Sequence, residues 1–225
     1  MTRIAVVIPA GGAGRRMGGV AKPLIELGGE SLLERSVRPF LARDDVHWVI
    51  IALPVELAAA PPHWLMSDRR IDIVAGGAER GDSVRNALSA VPMEADIVLV
   101  HDAARPLVSA EVIERCINAA AGGRSAIAAI PVVDTVKEVD EGGRVTGTPD
   151  RRTLWAAQTP QAFPAEVLRN AHARAAADNV STTDDAALVT RYGGAVVVVE
   201  GAPENLKVTT PVDLKIIAAL LDDGE

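Results

Sequence analysis

The residues best suited to chemistry lie in a glycine-rich loop near the start of the chain. The loop follows an apolar run at residues 4–8 and reads PAGGAGRRMG over residues 9–18. Glycines let a backbone bend sharply and bring its N–H groups close to a ligand. Arg15, Arg16 and Lys22 add positive charge to the same stretch. Amide donors beside mobile cations suit a triphosphate, whose negative charge must be neutralised before a nucleophile can approach.

This loop departs from the two most familiar nucleotide-binding patterns. The dinucleotide pattern G-x-G-x-x-G fails because Met17 stands where the third glycine belongs, and this disfavours a dehydrogenase. The P-loop pattern fails because Val20 replaces the required lysine after Gly14 and Gly19. A flexible glycine turn without a ligand is the alternative, and the clustered cations make it the weaker interpretation.

Four further polar motifs lie later in the chain. GGAERGDSV at residues 76–84 and HDAARP at 101–106 follow predicted strands, whereas STTDDA at 181–186 and NLKVTTP at 205–211 precede helices. Because ligands of open α/β sheets bind beyond the carboxyl ends of the strands, HDAARP is well placed to line a site. Each also has a structural interpretation. Asp82 or Ser83, and Thr183 or Asp184, could cap helices, while Asp102 and Arg105 could form an ordinary ion pair.

The elements that must position these motifs alternate along the chain. Runs rich in Val, Ile, Leu and Ala predict strands at residues 4–8, 46–53, 71–75, 96–101, 125–132 and 195–200. Helical periodicity predicts helices at residues 32–41, 83–91, 110–121, 164–177 and 211–221. Ser31 with Glu34, and Thr210 with Asp213, predict two of the helix starts. The alternation predicts an α/β fold with a mostly parallel sheet covered on both faces.

One polar segment interrupts this alternation. Residues 134–152 alternate Val136, Val139 and Val145 around a glycine turn, which predicts a β-hairpin standing apart from the main sheet. A lone hairpin is marginally stable in water, so we expect this arm, at about residues 134–153, to pack on a second subunit. A solvated hairpin is the alternative. With no repeat or linker, the prediction is one domain over residues 1–225 with a protruding arm.

The composition excludes several classes of partner. A net charge of −7 disfavours a nucleic-acid partner, because phosphate backbones attract basic surfaces. No stretch approaches the roughly 18 apolar residues of a membrane helix, so no membrane partner is expected. The single cysteine, Cys116, cannot form an internal disulfide, which favours a cytoplasmic protein. Its place in an apolar helical pattern predicts a buried core residue.

The motifs together resemble a known family. The segment PAGGAGRRMGGVAKPLIELGGESLLERSV, residues 9–37, resembles the opening of nucleotidyltransferases with a P-A-A/G-G-x-G-x-R-M…K-P loop. The chain is most similar to the 2-C-methyl-D-erythritol 4-phosphate cytidylyltransferases. HDAARP is the most specific signature, and the motifs P-x-x-D-T-x-K, R-x-x-L-W-x-x-Q-T-P-Q, T-D-[DE]-A and N-[IL]-K-[VI]-T follow in the family's order. The resemblance implies a Rossmann-like nucleotidyltransferase fold, with a mostly parallel sheet flanked by helices and a protruding β-arm.

The same resemblance implies the residues that bind CTP. Arg16 and Lys22 would stabilise the transition state, and Arg80 would support the loop that reads the base. The other implied CTP contacts are Ala10, Gly11, Gly12, Gly14, Gly77, Ser83, Asp102 and Ala103. His101 is predicted to be structural, because the attacking phosphate is already anionic and needs no strong base. A Mg²⁺ ion is expected on the triphosphate, held mainly by phosphate oxygens and water.

For the second substrate, a small polyol phosphate, the resemblance implies contacts from both subunits of a homodimer. Arg151, from the partner's arm, and Lys207 would hold the incoming phosphate, although the adjacent Arg152 leaves the arginine assignment open. Lys207 stands between apolar residues, where a strand interior rarely holds a cation. The other implied contacts are Arg105, Asp134, Thr135, Thr159, Thr183 and Thr209.

The implied activity is transfer of CMP from CTP to 2-C-methyl-D-erythritol 4-phosphate, with release of pyrophosphate, in non-mevalonate isoprenoid synthesis. Joining two anions makes charge neutralisation and positioning the main work of catalysis. A ribitol 5-phosphate cytidylyltransferase would share most of these motifs and is the first alternative. The first loop alone would also allow an enzyme acting on a sugar phosphate or a pterin cofactor. A catalytically silent nucleotide-binding dimer module is the alternative from another class.

Overall fold

The computed structural model describes residues 2–11 and 22–222, except for the side chain of Lys22. Eleven strands occur in these ranges: β1 Ile4–Pro9, β2 Glu26–Leu27, β3 Glu30–Ser31, β4 Val46–Leu53, β5 Ile71–Ala75, β6 Ile97–Val100, β7 Ser125–Pro131, β8 Glu138–Val139, β9 Val145–Gly147, β10 Trp155–Pro164 and β11 Val196–Glu200. Seven α-helices accompany them: α1 Leu32–Leu41, α2 Val55–Ala59, α3 Arg80–Ala90, α4 Ala110–Ala121, α5 Ala165–Ala177, α6 Asp185–Arg191 and α7 Pro211–Asp222. Short 3₁₀ turns lie at Lys22–Leu24, His63–Met66 and Arg151–Thr153.

A seven-stranded sheet organises the fold, in the order β11-β7-β10-β6-β1-β4-β5. Its strand pairs are parallel except that β10 runs antiparallel to both β6 and β7. The predicted α/β class and mostly parallel sheet are therefore confirmed. The register of β10 against β7 shifts between Ala157 and Gln161, so the strand is irregular beside the end of β6.

Helices cover the sheet on both faces. On β1, Ile4, Val6 and Ile8 pack in one apolar cluster with α1 and α4. The alternate residues Ala5 and Val7 pack in a second cluster with α3, α5 and α6. Side chains alternate between the faces of a strand, so continuous apolar strands are what a sheet between two helical layers requires.

The predicted strands all occur with bounds within one residue of those expected, whereas β10 and α2 were not predicted. The β10 sequence WAAQTPQAFP contains two prolines and no β-branched apolar residue, so it lacks the pattern of a strand. Helix α2 has only five residues, too few for its periodicity to be recognised. In both segments the neighbouring strands determine the local structure.

Three helix starts show how local chemistry sets the element bounds. The Ser31 hydroxyl accepts the Glu34 N–H, and the Asp213 carboxylate accepts the Thr210 N–H, as expected. The expected start of α3 at Asp82 or Ser83 was wrong, since the helix begins at Arg80 with Glu79 as its N-cap. Asp82 lies in the first turn of α3, and its carboxylate accepts the Glu79 N–H at 3.2 Å.

The polar segment forms the predicted hairpin. Strands β8 and β9 pair antiparallel in a sheet of their own, and the arm is almost entirely exposed. Val133, Val139 and Val145 are each more than half exposed in the chain. The hairpin is confirmed, and its packing on a second subunit stays a prediction.

Two further expectations concern single features. Cys116 is fully buried in the core, as predicted, and burial raises the pKa of its thiol to about 12. Within the described ranges, the helices are all too short or too polar to cross a membrane.

Candidate active site

A cavity of about 410 Å³ opens at the carboxyl ends of β1, β5 and β6. These parallel strands end at one edge of the sheet, so the segments that follow them meet there. The cavity is lined by Pro9, Ala10, Gly11, Pro23, Gly77, Ala78, Glu79, Arg80, Ser83, Asp102, Ala103, Ala104 and Lys207. Among the described residues, the predicted CTP contacts at positions 10, 11, 77, 83, 102 and 103 are therefore brought together.

Glycines allow the first two of these segments to touch. A Cβ on Gly76 would lie 3.1 Å from the Gly11 Cα and 3.0 Å from the Ser83 Oγ, so the two chains approach backbone to backbone. The Ser83 hydroxyl accepts the Gly77 N–H at 3.0 Å and donates to the Glu79 carbonyl at 3.2 Å. Ser83 thus shapes the loop, and its hydroxyl proton is already engaged.

Asp102 is the centre of the charged groups in the cavity. It follows β6, is 7% exposed, and accepts a hydrogen bond from the Arg80 Nε at 3.0 Å. The Lys207 Nζ lies 2.7 Å from its other oxygen, and the Arg105 Nε lies 3.8 Å away. Lys207 comes from the irregular segment between β11 and α7 and not from a strand interior. One carboxylate therefore gathers three cations from three segments.

The charges in this cluster stabilise one another. Burial alone would raise the pKa of Asp102, but Arg80, Lys207 and Arg105 outweigh it and hold that pKa well below its usual range. Burial alone would lower the pKa of Arg80, whereas Asp185 and Asp102 raise it above its ordinary value. Asp102 is therefore ionised near neutral pH, and its cations are held in place.

Behind Asp102, a hydrogen-bonded pair fixes the backbone. The His101 Nε2 lies 3.1 Å from the Arg105 carbonyl, which can only accept, so Nε2 carries the proton. Burial lowers the pKa of His101 to about 4, so the ring is neutral near pH 7 and its Nδ1 is an acceptor. The Thr159 hydroxyl therefore donates to Nδ1 at 3.0 Å and accepts the Asp102 N–H at 3.0 Å. This geometry fits the structural role expected of His101.

A second cavity, of about 190 Å³, adjoins the first. Arg80, Asp102 and Lys207 line both cavities, so the two spaces meet at this charged cluster. The remaining lining residues of the second cavity are Arg105, Ala157, Gln158, Thr159, Gln161, Thr183 and Asp184. Three predicted acceptor contacts, at positions 105, 159 and 183, are thus brought beside Lys207.

These three differ in how free they are to bind a ligand. Arg105 is 8% exposed and donates to the Asn205 carbonyl at 2.6 Å and the Ala157 carbonyl at 3.2 Å. The Thr159 proton is engaged with His101. Thr183 is exposed at the rim and retains its hydroxyl, because Asp184 is the residue that caps α6. Thr183 is therefore the freest of the three.

Other predicted residues lie elsewhere or outside the described ranges. Asp134, Thr135 and Arg151 belong to the arm, where the Arg151 guanidinium donates to the Val133 carbonyl at 2.7 Å, and they line neither cavity. Thr209 donates its hydroxyl proton to Asp213 at 2.8 Å. Gly12, Gly14 and Arg16 fall outside the described residues, and only the backbone of Lys22 is described.

One buried contact next to the cavity was not predicted from the sequence. The Arg80 Nη1 donates to Asp185 at 2.8 Å, and the other Asp185 oxygen lies 2.9 Å from the His172 Nε2. Asp185 is 1% exposed and His172 is 3% exposed. The available signal was the spacing of Leu168, His172 and Ala175, which places the imidazole on the core face of α5, where a polar group needs a partner.

The cavity offers little protein ligation for a metal. Among the described residues, no group of three or more His, Cys, Asp or Glu side chains could hold an ion. Glu79 and Asp102 are the carboxylates in the cavity lining, and both oxygens of Asp102 already face cations. This donor set fits a Mg²⁺ ion that is carried by a nucleotide and not one held by a protein cage.

Comparison with known proteins identifies relatives over the whole chain. The family model described as 2-C-methyl-D-erythritol 4-phosphate cytidylyltransferase matches residues 4–223. A protein of that name from Symbiobacterium thermophilum is 48% identical over 98% of this chain and 93% of its own length. Another from Rhodococcus jostii is 45% identical, with 98% of this chain and 96% of that protein covered.

Solved structures give the same result. 4-Diphosphocytidyl-2C-methyl-D-erythritol synthase from Anaerococcus prevotii superposes with a TM-score of 0.87 at 29% identity, covering 98% of this chain and 99% of the other. 2-C-methyl-D-erythritol 4-phosphate cytidylyltransferase from Thermus thermophilus superposes with a TM-score of 0.83 at 35% identity, covering 98% and 100%. The predicted nucleotidyltransferase fold is confirmed.

The neutral, buried His101 predicts how stability depends on pH. Its pKa is about 4 in the folded chain, against an ordinary value of 6.5, so the unfolded chain binds the proton first as the pH falls. Its contribution to the free energy of unfolding is unchanged above about pH 7 and falls by about 2 kcal/mol between pH 7 and pH 5. Urea unfolding of wild type and His101→Gln at both pH values measures this. An equal loss in both proteins would contradict it.

Proposed function

The chain belongs to the 2-C-methyl-D-erythritol 4-phosphate cytidylyltransferase family, and we propose that its two adjoining cavities hold the two substrates of that reaction. The enzyme transfers CMP from CTP to 2-C-methyl-D-erythritol 4-phosphate and releases pyrophosphate, a step of non-mevalonate isoprenoid biosynthesis. The observation that carries the proposal is the junction of the cavities at Arg80, Asp102 and Lys207. A reaction that joins two phosphates needs its two sites to meet at positive charge.

The larger cavity is assigned to CTP. Ala10, Gly11 and Gly77 line it. The N–H groups of Ala10 and Gly77 are already engaged, so the backbone carbonyls of this lining would accept hydrogen bonds from the base edge. Asp102 and Ala103 would lie beside the ribose. The triphosphate would extend toward the first loop, where Gly12, Gly14, Arg16 and Lys22 are proposed from the sequence to bind it. Charge neutralisation by Arg16 and Lys22 would stabilise the α-phosphate and the leaving pyrophosphate.

The smaller cavity is assigned to the acceptor phosphate. Lys207 borders both spaces, so its ammonium group can hold an acceptor oxygen in line with the α-phosphorus. That oxygen forms the new P–O bond as the bond between the α-phosphorus and the bridging oxygen breaks, and pyrophosphate leaves with the bond's electron pair. Arg105 and Thr159 would shape this cavity, and Thr183 would contact the phosphate from the rim.

A magnesium ion is proposed to accompany CTP. Bound to the triphosphate, it would neutralise charge that develops on the phosphate oxygens. Both oxygens of Asp102 already face cations, so among the described lining residues Glu79 is the acidic side chain that would orient the ion's water ligands. The protein's own part is to bind the base and ribose and to hold Lys207 against the acceptor.

The exposed arm supports a homodimer. Its residues line neither cavity of their own chain, yet it carries Asp134, Thr135 and Arg151, the polar residues predicted to contact the acceptor. A partner's arm would complete the smaller cavity and bury the three exposed valines described above. Thr209 would act through Asp213 at the start of α7 and not by direct contact. The single free thiol, Cys116, suits the reducing cytoplasm proposed for this enzyme.

Pyrophosphate release tests the acceptor assignment. With CTP and Mg²⁺ present, we expect rapid release with 2-C-methyl-D-erythritol 4-phosphate and little with ribitol 5-phosphate. The two polyols differ in length and branching, which an acceptor cavity completed by the partner's arm would discriminate by roughly 10-fold or more. Faster release with ribitol 5-phosphate would contradict the assignment and leave the cytidylyl chemistry intact.

Mixing two variants that bind the acceptor weakly tests the contribution of the arm. Arg151→Ala and Lys207→Met should each raise KM for the acceptor by roughly 10-fold or more through loss of a charged contact. If the arm acts across the dimer, mixed dimers contain one complete site, and random mixing restores about a quarter of wild-type activity at limiting acceptor. Lys215→Met, on the exposed side of α7, is the matched control and should keep wild-type kinetics. Absence of recovery in subunits shown to exchange would place Arg151 outside the partner's site.

A further inference from the structure

His172 is a buried polar residue that the proposed reaction does not use. It lies in the middle of α5, where it contacts the start of α6, and is 3% exposed. Its Nε2 is 2.9 Å from the Asp185 Oδ1. An ionised carboxylate only accepts, so the imidazole donates this hydrogen bond. The side chain thus holds one oxygen of a carboxylate that has almost no access to water.

This contact is the far end of a chain of charged groups that reaches the cavity. The Asp185 Oδ2 accepts from the Arg80 Nη1 at 2.8 Å, and the Arg80 Nε donates to the Asp102 Oδ1 at 3.0 Å. The Lys207 Nζ is 2.7 Å from the Asp102 Oδ2. The path runs from α5 through α6 and α3 to the junction of the two cavities. Each group in this path is held in position by its contact with the preceding group, starting from His172.

The geometry of Arg80 shows what His172 contributes. A guanidinium prefers to bind one carboxylate through two parallel hydrogen bonds. Here Arg80 instead divides its bonds between Asp185 and Asp102, and its Nη2 is buried without a hydrogen-bond partner among the described residues. His172 holds the other oxygen of Asp185, and the carboxylate is thereby fixed with only its Oδ2 directed at Arg80. The imidazole therefore helps to set the divided arrangement.

We propose that His172 is a positioning residue for CTP binding, which keeps Arg80 bonded to Asp102 by fixing the orientation of the Asp185 carboxylate. Without the imidazole N–H, that carboxylate can rotate to present both oxygens to Arg80, and the spare Nη2 can complete a second bond. The guanidinium then moves toward Asp185, and its hydrogen bond to Asp102 weakens. The inference rests on the proposed function, because it assigns the affected cavity to CTP.

A pair of substitutions of similar length separates this role from simple core packing. His172→Met keeps an unbranched side chain in the core and removes the donor, whereas His172→Gln keeps a donor at a similar reach. We expect His172→Met to raise KM and Kd for CTP about fivefold, equivalent to about 1 kcal/mol at 1.4 kcal/mol per factor of ten. The kcat should change less than KM, and His172→Gln should restore most of the affinity.

Leu168→Val is the matched control, since Leu168 is fully buried one turn earlier on the same helix, within an apolar cluster. It should lower the melting temperature without changing KM for CTP. If His172→Met does not fold, Asp185→Asn is measured in its place. It keeps the side-chain volume, removes the charge that anchors Arg80, and should raise KM at least as much.

Kinetics and calorimetry with CTP decide between the outcomes. Wild-type KM and Kd for CTP in His172→Met, or in Asp185→Asn where the first does not fold, would overturn the inference. An equal rise in KM in Leu168→Val would also overturn it, since loss of packing would then suffice. The proposed function is tested by a separate measurement, the turnover of the wild-type enzyme with the acceptor. If that turnover is absent, the CTP affinities of the variants still test the role of His172.

Discussion

The ion-paired carboxylate of Asp102 is the interaction on which the rest of the site depends. It is nearly buried, and a buried charge is tolerated only when it is paired and hydrogen-bonded. Arg80 and Lys207 provide that pairing from segments that are far apart in sequence. Because the pairing needs all three segments, the folding of α3 and of the segment before α7 against the end of β6 assembles the junction of the two cavities. The cations that a phosphate-joining reaction requires are thereby held in place before any substrate arrives.

The sheet supplies the position of this carboxylate. Asp102 lies two residues after the end of β6, and the antiparallel β10 lies beside β6 with its irregular stretch at the same level. That irregularity lets the Thr159 hydroxyl bond both the Asp102 backbone and the neutral His101. Asn205 extends the support, since its side-chain amide donates to the Thr159 carbonyl at 2.8 Å while its backbone carbonyl accepts from Arg105. The polar motifs after β6, within β10 and before α7 are thus parts of one buried hydrogen-bond network.

Much of this arrangement follows from the sequence, and the remainder has physical reasons for being hidden. Continuous apolar runs fix the parallel strands, and glycine-rich or polar segments after them indicate the lining of the larger cavity. Strand β10 escapes prediction because Pro160 and Pro164 suppress the pattern and only pairing with β6 and β7 makes it extended. The Arg80–Asp185–His172 contact escapes because it joins α3, α6 and α5, and no local spacing records a contact between helices. The sequence predicts the lining of the smaller cavity only in part. The arm residues assigned to this cavity are exposed in the single chain and are proposed to reach the cavity of a partner subunit.

Substitution of Asp102 by Asn tests the central role of this carboxylate most directly. The change keeps the side-chain volume and hydrogen-bonding shape but leaves Arg80, Lys207 and Arg105 without their common counter-charge. Breaking a buried pair in this way costs about 3–5 kcal/mol, shared between stability and binding. The account predicts that folded Asp102→Asn enzyme loses roughly 30-fold or more in kcat/KM for CTP, measured by pyrophosphate release with 2-C-methyl-D-erythritol 4-phosphate. Wild-type kcat/KM in the folded variant would show that the carboxylate does not organise the site.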